Sequence, residues 1–360
     1  MPKPVGEQVI VITGASSGIG LVTAMEAARQ GAKVVLAARN ERDLEKAAAE
    51  IRREGGEALA VPTDVTKFEQ VETLALRAAE AYGRIDTWVN NAGVSLYATF
   101  EEASLEDFRQ VVEVIFFRQV HGAKAALPYL KQTEGALICV GSTLSDRGVP
   151  LQTAYCAAKH AIKGWLDGLR IELMKEDAKA RVTMVKPSSI NTPLFNKAKT
   201  QVGVMPMPIP PIYDPELAAE GILRATAGNE RDLFIGGAGK ARSLAERTSP
   251  KLLDLQQLRS GFKKQKTRWP KESDAPSNLF THVEADGGSK GDFSPQARSQ
   301  SLYQEIASHP VASPIGMAAV LGFAALITGH AQDRRVQAGL LALGAIGLTG
   351  KGTLSRIYLG

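Results

Sequence analysis

The chain has 360 residues, of which 44% are hydrophobic and 22% charged, so wholesale disorder, collagen-like repeats and low-complexity fibres are excluded. Residues 240–271 carry ten basic side chains against Glu246 and Asp254, a local charge of +8 that exceeds the whole chain's +5 and leaves the rest at −3. With no zinc-finger, helix-turn-helix or RNA-binding pattern beside that stretch, no nucleic-acid partner is expected. The only cysteines, Cys139 and Cys156, read as small buried packing, so no disulfide framework is expected and a reducing compartment is.

Residues 1–8 are short and polar, so no secretory signal peptide is expected. From there, β-branched apolar runs at 9–12, 34–37, 59–62, 87–90, 137–140 and 182–186 alternate with helix-period stretches such as 21–29 and 41–53. This alternation predicts an α/β fold, a doubly wound Rossmann-type parallel sheet, as the first domain over 1–262. In such a sheet the ligand binds at the edge where the strands end.

After residue 262 the texture changes. Residues 270–314 hold five prolines, three glycines and eight serines, which predicts a polar linker or loosely ordered extension over 263–310. Residues 311–330 and 336–350 lack Asp, Glu, Lys and Arg and flank Asp333-Arg334-Arg335, so a C-terminal apolar helical hairpin is expected over 311–360. A span needs ~20 apolar residues; the first run barely reaches that and the second falls short. Ala318/Gly322 and Ala338/Ala342 stand at the small-xxx-small spacing of close helix pairs. The hairpin therefore has two readings: membrane association, which the basic stretch would assist, or docking on the body or at an oligomer contact. The expected location is cytoplasmic, with membrane association through this tail under the first of these readings.

The run Thr13-Gly14-Ala15-Ser16-Ser17-Gly18-Ile19-Gly20 stands between the first strand and the first helix. Gly14 would allow a sharp turn, Gly18 the close approach of a pyrophosphate, and Gly20 tight packing of helix on strand, with the helix N-terminus facing the phosphate charge. Its Gly-x-x-x-Gly-x-Gly spacing resembles that of the short-chain dehydrogenase/reductase family. The second strand ends in Ala37-Ala38-Arg39-Asn40, with no carboxylate for a ribose 2′-hydroxyl and a guanidinium suited to a 2′-phosphate, so NADP(H) is the expected cofactor. The resemblance adds Asp64-Val65 beside the adenine, and Asn90-Asn91-Ala92-Gly93 supporting sheet and cofactor. It also implies that Pro187, Ile190 and Thr192 meet the nicotinamide end, although Ser188 stands where the family has glycine.

Tyr155 and Lys159, four residues apart, would share one helix face. Reducing a carbonyl requires a proton donor, and a neighbouring cation would lower the pKa of a phenol that ordinarily titrates near ~10. With Ser142 thirteen residues before Tyr155, the three resemble the family's Ser…Tyr-x-x-x-Lys triad, which implies that Ser142 orients the substrate oxygen. The family's middle-helix Val-Asn-x-x-Gly is Val114-Ile115-Phe116-Phe117-Arg118 here, with Ile115 at the Asn and Arg118 at the glycine. Two readings follow: turnover through another water route, or a catalytically weak nucleotide-binding scaffold at a membrane or partner surface.

Residues 194–215, with Met205, Met207 and a cluster of prolines, form an apolar flap that suits a lipophilic ketone, aldehyde or alcohol better than a phosphorylated sugar, since only Lys197 and Lys199 offer anion contacts. His121 and His160 lack metal-site company and no metal is expected. The family resemblance implies a homo-oligomer.

Overall fold

The computed structural model describes residues 2–284, 287–301 and 303–304. Seven strands form one sheet: β1 (Val9–Thr13), β2 (Lys33–Ala38), β3 (Glu57–Pro62), β4 (Thr87–Asn90), β5 (Ala136–Val140), β6 (Arg181–Pro187) and β7 (Asp232–Ile235). They are ordered β3-β2-β1-β4-β5-β6-β7, and every neighbouring pair is parallel. The six runs read from the sequence are all strands, most of them extended by one or two residues. The seventh went unread because it offers only Leu233, Phe234 and Ile235 as apolar signal. Chain order reverses between β1 and β4, and the crevice beyond the strand ends at that point is where such sheets bind ligands.

Nine helices flank the sheet among the described residues: α1 (Gly18–Arg29), α2 (Glu41–Arg53), α3 (Phe68–Tyr82), α4 (Leu105–Val112), α5 (Arg118–Thr133), α6 (Thr153–Lys175), α7 (Pro215–Ala227), α8 (Gly237–Thr248) and α9 (Pro250–Ser260). Their ends follow local chemistry. The Asn40 side chain caps α2 by accepting the Asp43 N–H at 3.1 Å, with acids in the first turn and Arg52 and Arg53 in the last. Gly83, at φ +75°, ends α3 in the left-handed conformation.

Both faces of the sheet are covered, so its strands are apolar on both sides. Ile10, Ile12, Val34 and Leu36 pack with Ala24, Ala27 and Leu217 on one face. Val11, Val35, Trp88 and Leu137 pack with Leu74, Ala126 and Ile162 on the other. Cys139 and Cys156 are free and buried within this packing.

Beyond α9 the structure departs from the expected linker. Lys266–Pro270 forms a strand antiparallel to Val204–Pro206, and Leu279 and Phe293 are buried against the body. Proline and serine content signals the absence of helix and long strand, and this segment docks through single apolar anchors instead. The apolar hairpin expected over 311–360 lies outside the described residues, as does its membrane association. Among the described residues no helix is long and apolar enough to cross a membrane.

Candidate active site

The turn after β1 has the geometry its glycines suggested. Gly14 and Gly18 adopt φ of +69° and +56°. A Cβ on Gly14 would lie 2.5 Å from the Ala92 Cα, and one on Gly20 would lie 2.3 Å from the Gly14 carbonyl oxygen. Side chains are therefore excluded where backbone must approach a phosphate. The turn is held from β4: Asn91 Nδ2 donates to the carbonyls of Thr13 and Gly14 at 3.0 and 3.2 Å, and the Asn91 N–H donates to Thr13 Oγ1. Gly14, Ser16, Ser17, Gly18 and Ile19 line one cleft with Arg39, Asp64, Val65, Asn91, Ala92 and Gly93, while Gly20 sits outside that lining. The cleft continues to Pro187, Ile190 and Thr192 and to Ser142, Tyr155 and Lys159. Ser188 keeps a φ outside the left-handed region, so a serine there carries no backbone strain. The glycine cradle and its extension toward β6 fit an elongated dinucleotide.

Arg39, at the end of β2, is held by the extension: its Nη1 donates to the Phe280 carbonyl at 2.9 Å and its Nη2 to the Asn278 carbonyl at 2.8 Å. Burial lowers its pKa and Asp64 opposes that change. Lys197, one of the two flap residues able to contact an anion, reaches the glycine turn. Its Nζ donates to Ser17 Oγ at 2.9 Å, at the phosphate turn. Burial pushes Lys197 down to about 7. The protonated form attracts phosphate and the neutral form does not, so dinucleotide affinity is expected to weaken as pH rises through about 7. Titrating the dinucleotide Kd against pH, beside Lys197→Met, checks this; identical profiles would remove Lys197 from the site. Asn278 and His282 also line the cleft, unread because their segment was assigned to a linker.

At the other end, Ser142 follows β5 and caps the short turn Thr143–Ser145, its Oγ accepting the Leu144 N–H at 3.1 Å. Tyr155 and Lys159 stand in the first two turns of α6. Ser142 and Tyr155 line the same end of the cleft, and Ser142 pulls the Tyr155 pKa down. Lys159 Nζ donates to the Val140 carbonyl at 2.8 Å and lies 5.4 Å from the Tyr155 ring centroid. Lys159 is not among the groups that shift the Tyr155 phenol here. Burial pushes Tyr155 up to about 12, against the downward pull of Ser142 and Arg118. Burial and then Arg118 hold Lys159 well below its ordinary range. At Tyr155 desolvation outweighs the pull of the cation, whereas at Lys159 burial and Arg118 act in the same direction.

A model of the family described as short chain dehydrogenase matches residues 8–203, more than half of the chain. The chain belongs to the short chain dehydrogenase family. Uncharacterized oxidoreductase YxnA of Bacillus subtilis (strain 168) is 38% identical over 329 residues, covering 90% of this chain and 91% of that protein. An alcohol dehydrogenase from the archaeon Thermococcus sibiricus, complexed with 5-hydroxy-NADP, matches at TM-score 0.56 and 29% identity over 63% of this chain and 95% of its own. A short chain dehydrogenase/reductase from Burkholderia phymatum in complex with NAD shares the fold at TM-score 0.62 and 24% identity, over 68% of this chain and 95% of its own. The protein is thus an oxidoreductase of this family.

Two features depart from the family motif. Ile115 is fully buried and lines the cleft. Arg118 is 1% exposed, and its three guanidinium nitrogens have no hydrogen-bond partner among the described residues. A five-residue π-helical turn, Glu113–Phe117, directly precedes it. The close helix approach that glycine would permit at 118 occurs one turn later at Gly122, where a Cβ would lie 2.1 Å from Asn90 Oδ1. Sequence reasoning also missed Gln119, fully buried, whose Nε2 donates at 3.1 Å to the same Val140 carbonyl that Lys159 uses. Its i+4 relation to Ile115 was the available signal. The flap supplies Leu194, Phe195, Pro208 and Ile209 to the cleft, facing Leu144 and Tyr97. His121 and His160 engage the backbone carbonyls of Val65 and Cys156.

Proposed function

We propose that the protein is an NADP(H)-dependent reductase of lipophilic ketones or aldehydes, with Tyr155 as proton donor and Ser142 orienting the substrate oxygen. The observation that carries this reading is that Ser142, Tyr155 and Lys159 line one cleft whose far end is the glycine turn. A bound nicotinamide supplies the hydride. The chain's own groups supply the rest. Tyr155, pushed up to about 12 by burial, carries its proton at neutral pH and so is placed to donate it to a carbonyl oxygen. Lys159, tied to the Val140 carbonyl, fixes the floor beneath the ring. Leu144, Phe195 and Ile209 favour an apolar substrate and help to exclude water.

NADP(H) is preferred over NAD(H) on Arg39 and the missing carboxylate after β2. A second reading, the catalytically weak scaffold, draws on Ile115 and Arg118. NADPH oxidation by the full-length protein against a panel of lipophilic carbonyls tests both. The expected result is turnover with NADPH favoured over NADH. Arg39→Ala should weaken NADPH binding by about 10- to 100-fold and leave NADH unaffected. Tight NADPH binding without turnover, with activity appearing in Ile115→Asn, would instead establish the scaffold. An unchanged coenzyme preference in Arg39→Ala would remove the 2′-phosphate assignment.

A further inference from the structure

The extension beyond α9 reaches the cleft at two separated places, and both are donors suited to phosphate. The first is Arg39, both of whose Nη atoms are engaged by the Asn278 and Phe280 carbonyls. The second is the N-terminus of α1, where the Gly18 N–H donates to the Gly288 carbonyl at 2.9 Å and Ser17 forms a parallel bridge with Gly288. The stretch is anchored by Leu279, which is fully buried in the core cluster of Val65, Val114 and Ile115. Gln110 Nε2 donates to the Leu279 carbonyl at 3.0 Å, and the Asn278 N–H donates to the Lys197 carbonyl at 3.0 Å.

A carbonyl oxygen and a phosphate oxygen compete for the same N–H. A helix N-terminus and a guanidinium fork are the groups by which a protein binds phosphate, and the charged acceptor forms the stronger bond. We propose that residues 278–280 and Gly288 form an intrasteric strap: their carbonyls hold the donors that the phosphates of a dinucleotide require, so the cofactor binds only as the strap withdraws. This rests on the NADP(H) reading of the cleft. The apparent Kd then equals the intrinsic Kd divided by the fraction of molecules with the strap released. The strap thereby links cofactor affinity to anything that pulls on the extension.

Calorimetric titration of the full-length protein with NADPH, alongside hydrogen exchange of the peptide spanning 272–293, tests the strap without any measure of turnover. Leu279→Ser removes the anchor. Gly288→Val acts independently: Gly288 has φ +126° and no heavy atom within 4 Å of an added Cβ, so the substitution strains the backbone and meets no neighbour. Each variant is expected to tighten NADPH binding by at least about fivefold. In the unaltered protein, saturating NADPH should speed exchange across the strap. Weaker binding in the variants, with exchange slowed by NADPH, would overturn the proposal and make the segment a cover that closes over the cofactor. Unchanged affinity in Gly288→Val, with unchanged exchange, would also overturn it. Failure of every form to bind NADPH would instead remove the cofactor reading beneath it.

Discussion

Tyr155→Phe is expected to lower kcat for carbonyl reduction by roughly 10²- to 10⁴-fold, the contribution of a positioned general acid. The substitution removes only the hydroxyl, so the ring keeps its packing and the NADPH Kd should stay within about twofold. The Ser142 oxygen still accepts the Leu144 N–H, which keeps the turn after β5 in place. The pH profile gives an independent check. Because burial raises the phenol to about 12, reduction should stay level from neutral into alkaline pH, while alcohol oxidation, which needs the phenolate, should rise with pH. Residual activity within tenfold of the parent would mean that another group delivers the proton.

Arg118→Met should raise the protein's stability by about 1–3 kcal/mol, the desolvation cost of a buried polar group left without a partner. The cation is buried with none of its guanidinium nitrogens hydrogen-bonded among the described residues. Burial lowers its pKa to about 10, the direction of a charge withdrawn from water. At this chain length, each kcal/mol corresponds to about 1–2 °C of Tm. The same substitution removes a cation that pulls the Tyr155 pKa down, so the alkaline rise of alcohol oxidation should move to higher pH. A Tm at or below that of the parent would show that Arg118 is compensated in the working protein, and an unmoved profile would separate it from Tyr155.

The phosphate turn and the Ser142, Tyr155 and Lys159 trio were legible because each depends on spacing within one strand–turn–helix unit. Position in such a unit dictates which side chains converge, and the structure brings them to one cleft. The direction of the Tyr155 pKa was not legible. Spacing reports that Lys159 is near, whereas the net effect depends on how much water Ser142, Ile115 and the flap displace. Arg118 was visible as a departure from the motif, but its isolation depends on the groups that α5, α6 and β5 bring around it.

The sequence by itself determined the alternation of strands and helices, the left-handed glycines after β1 and the chemistry at both ends of the cleft, because these arise between residues close along the chain. Only the tertiary structure decided that β7 adds to the edge of the sheet, that Lys197 turns back to Ser17, and that the supposed linker returns to Arg39 and Gly18. Those contacts join positions as far apart as Arg39 and Phe280 through backbone carbonyls. Every residue carries a carbonyl, so composition gives no sign of which one will face a distant donor.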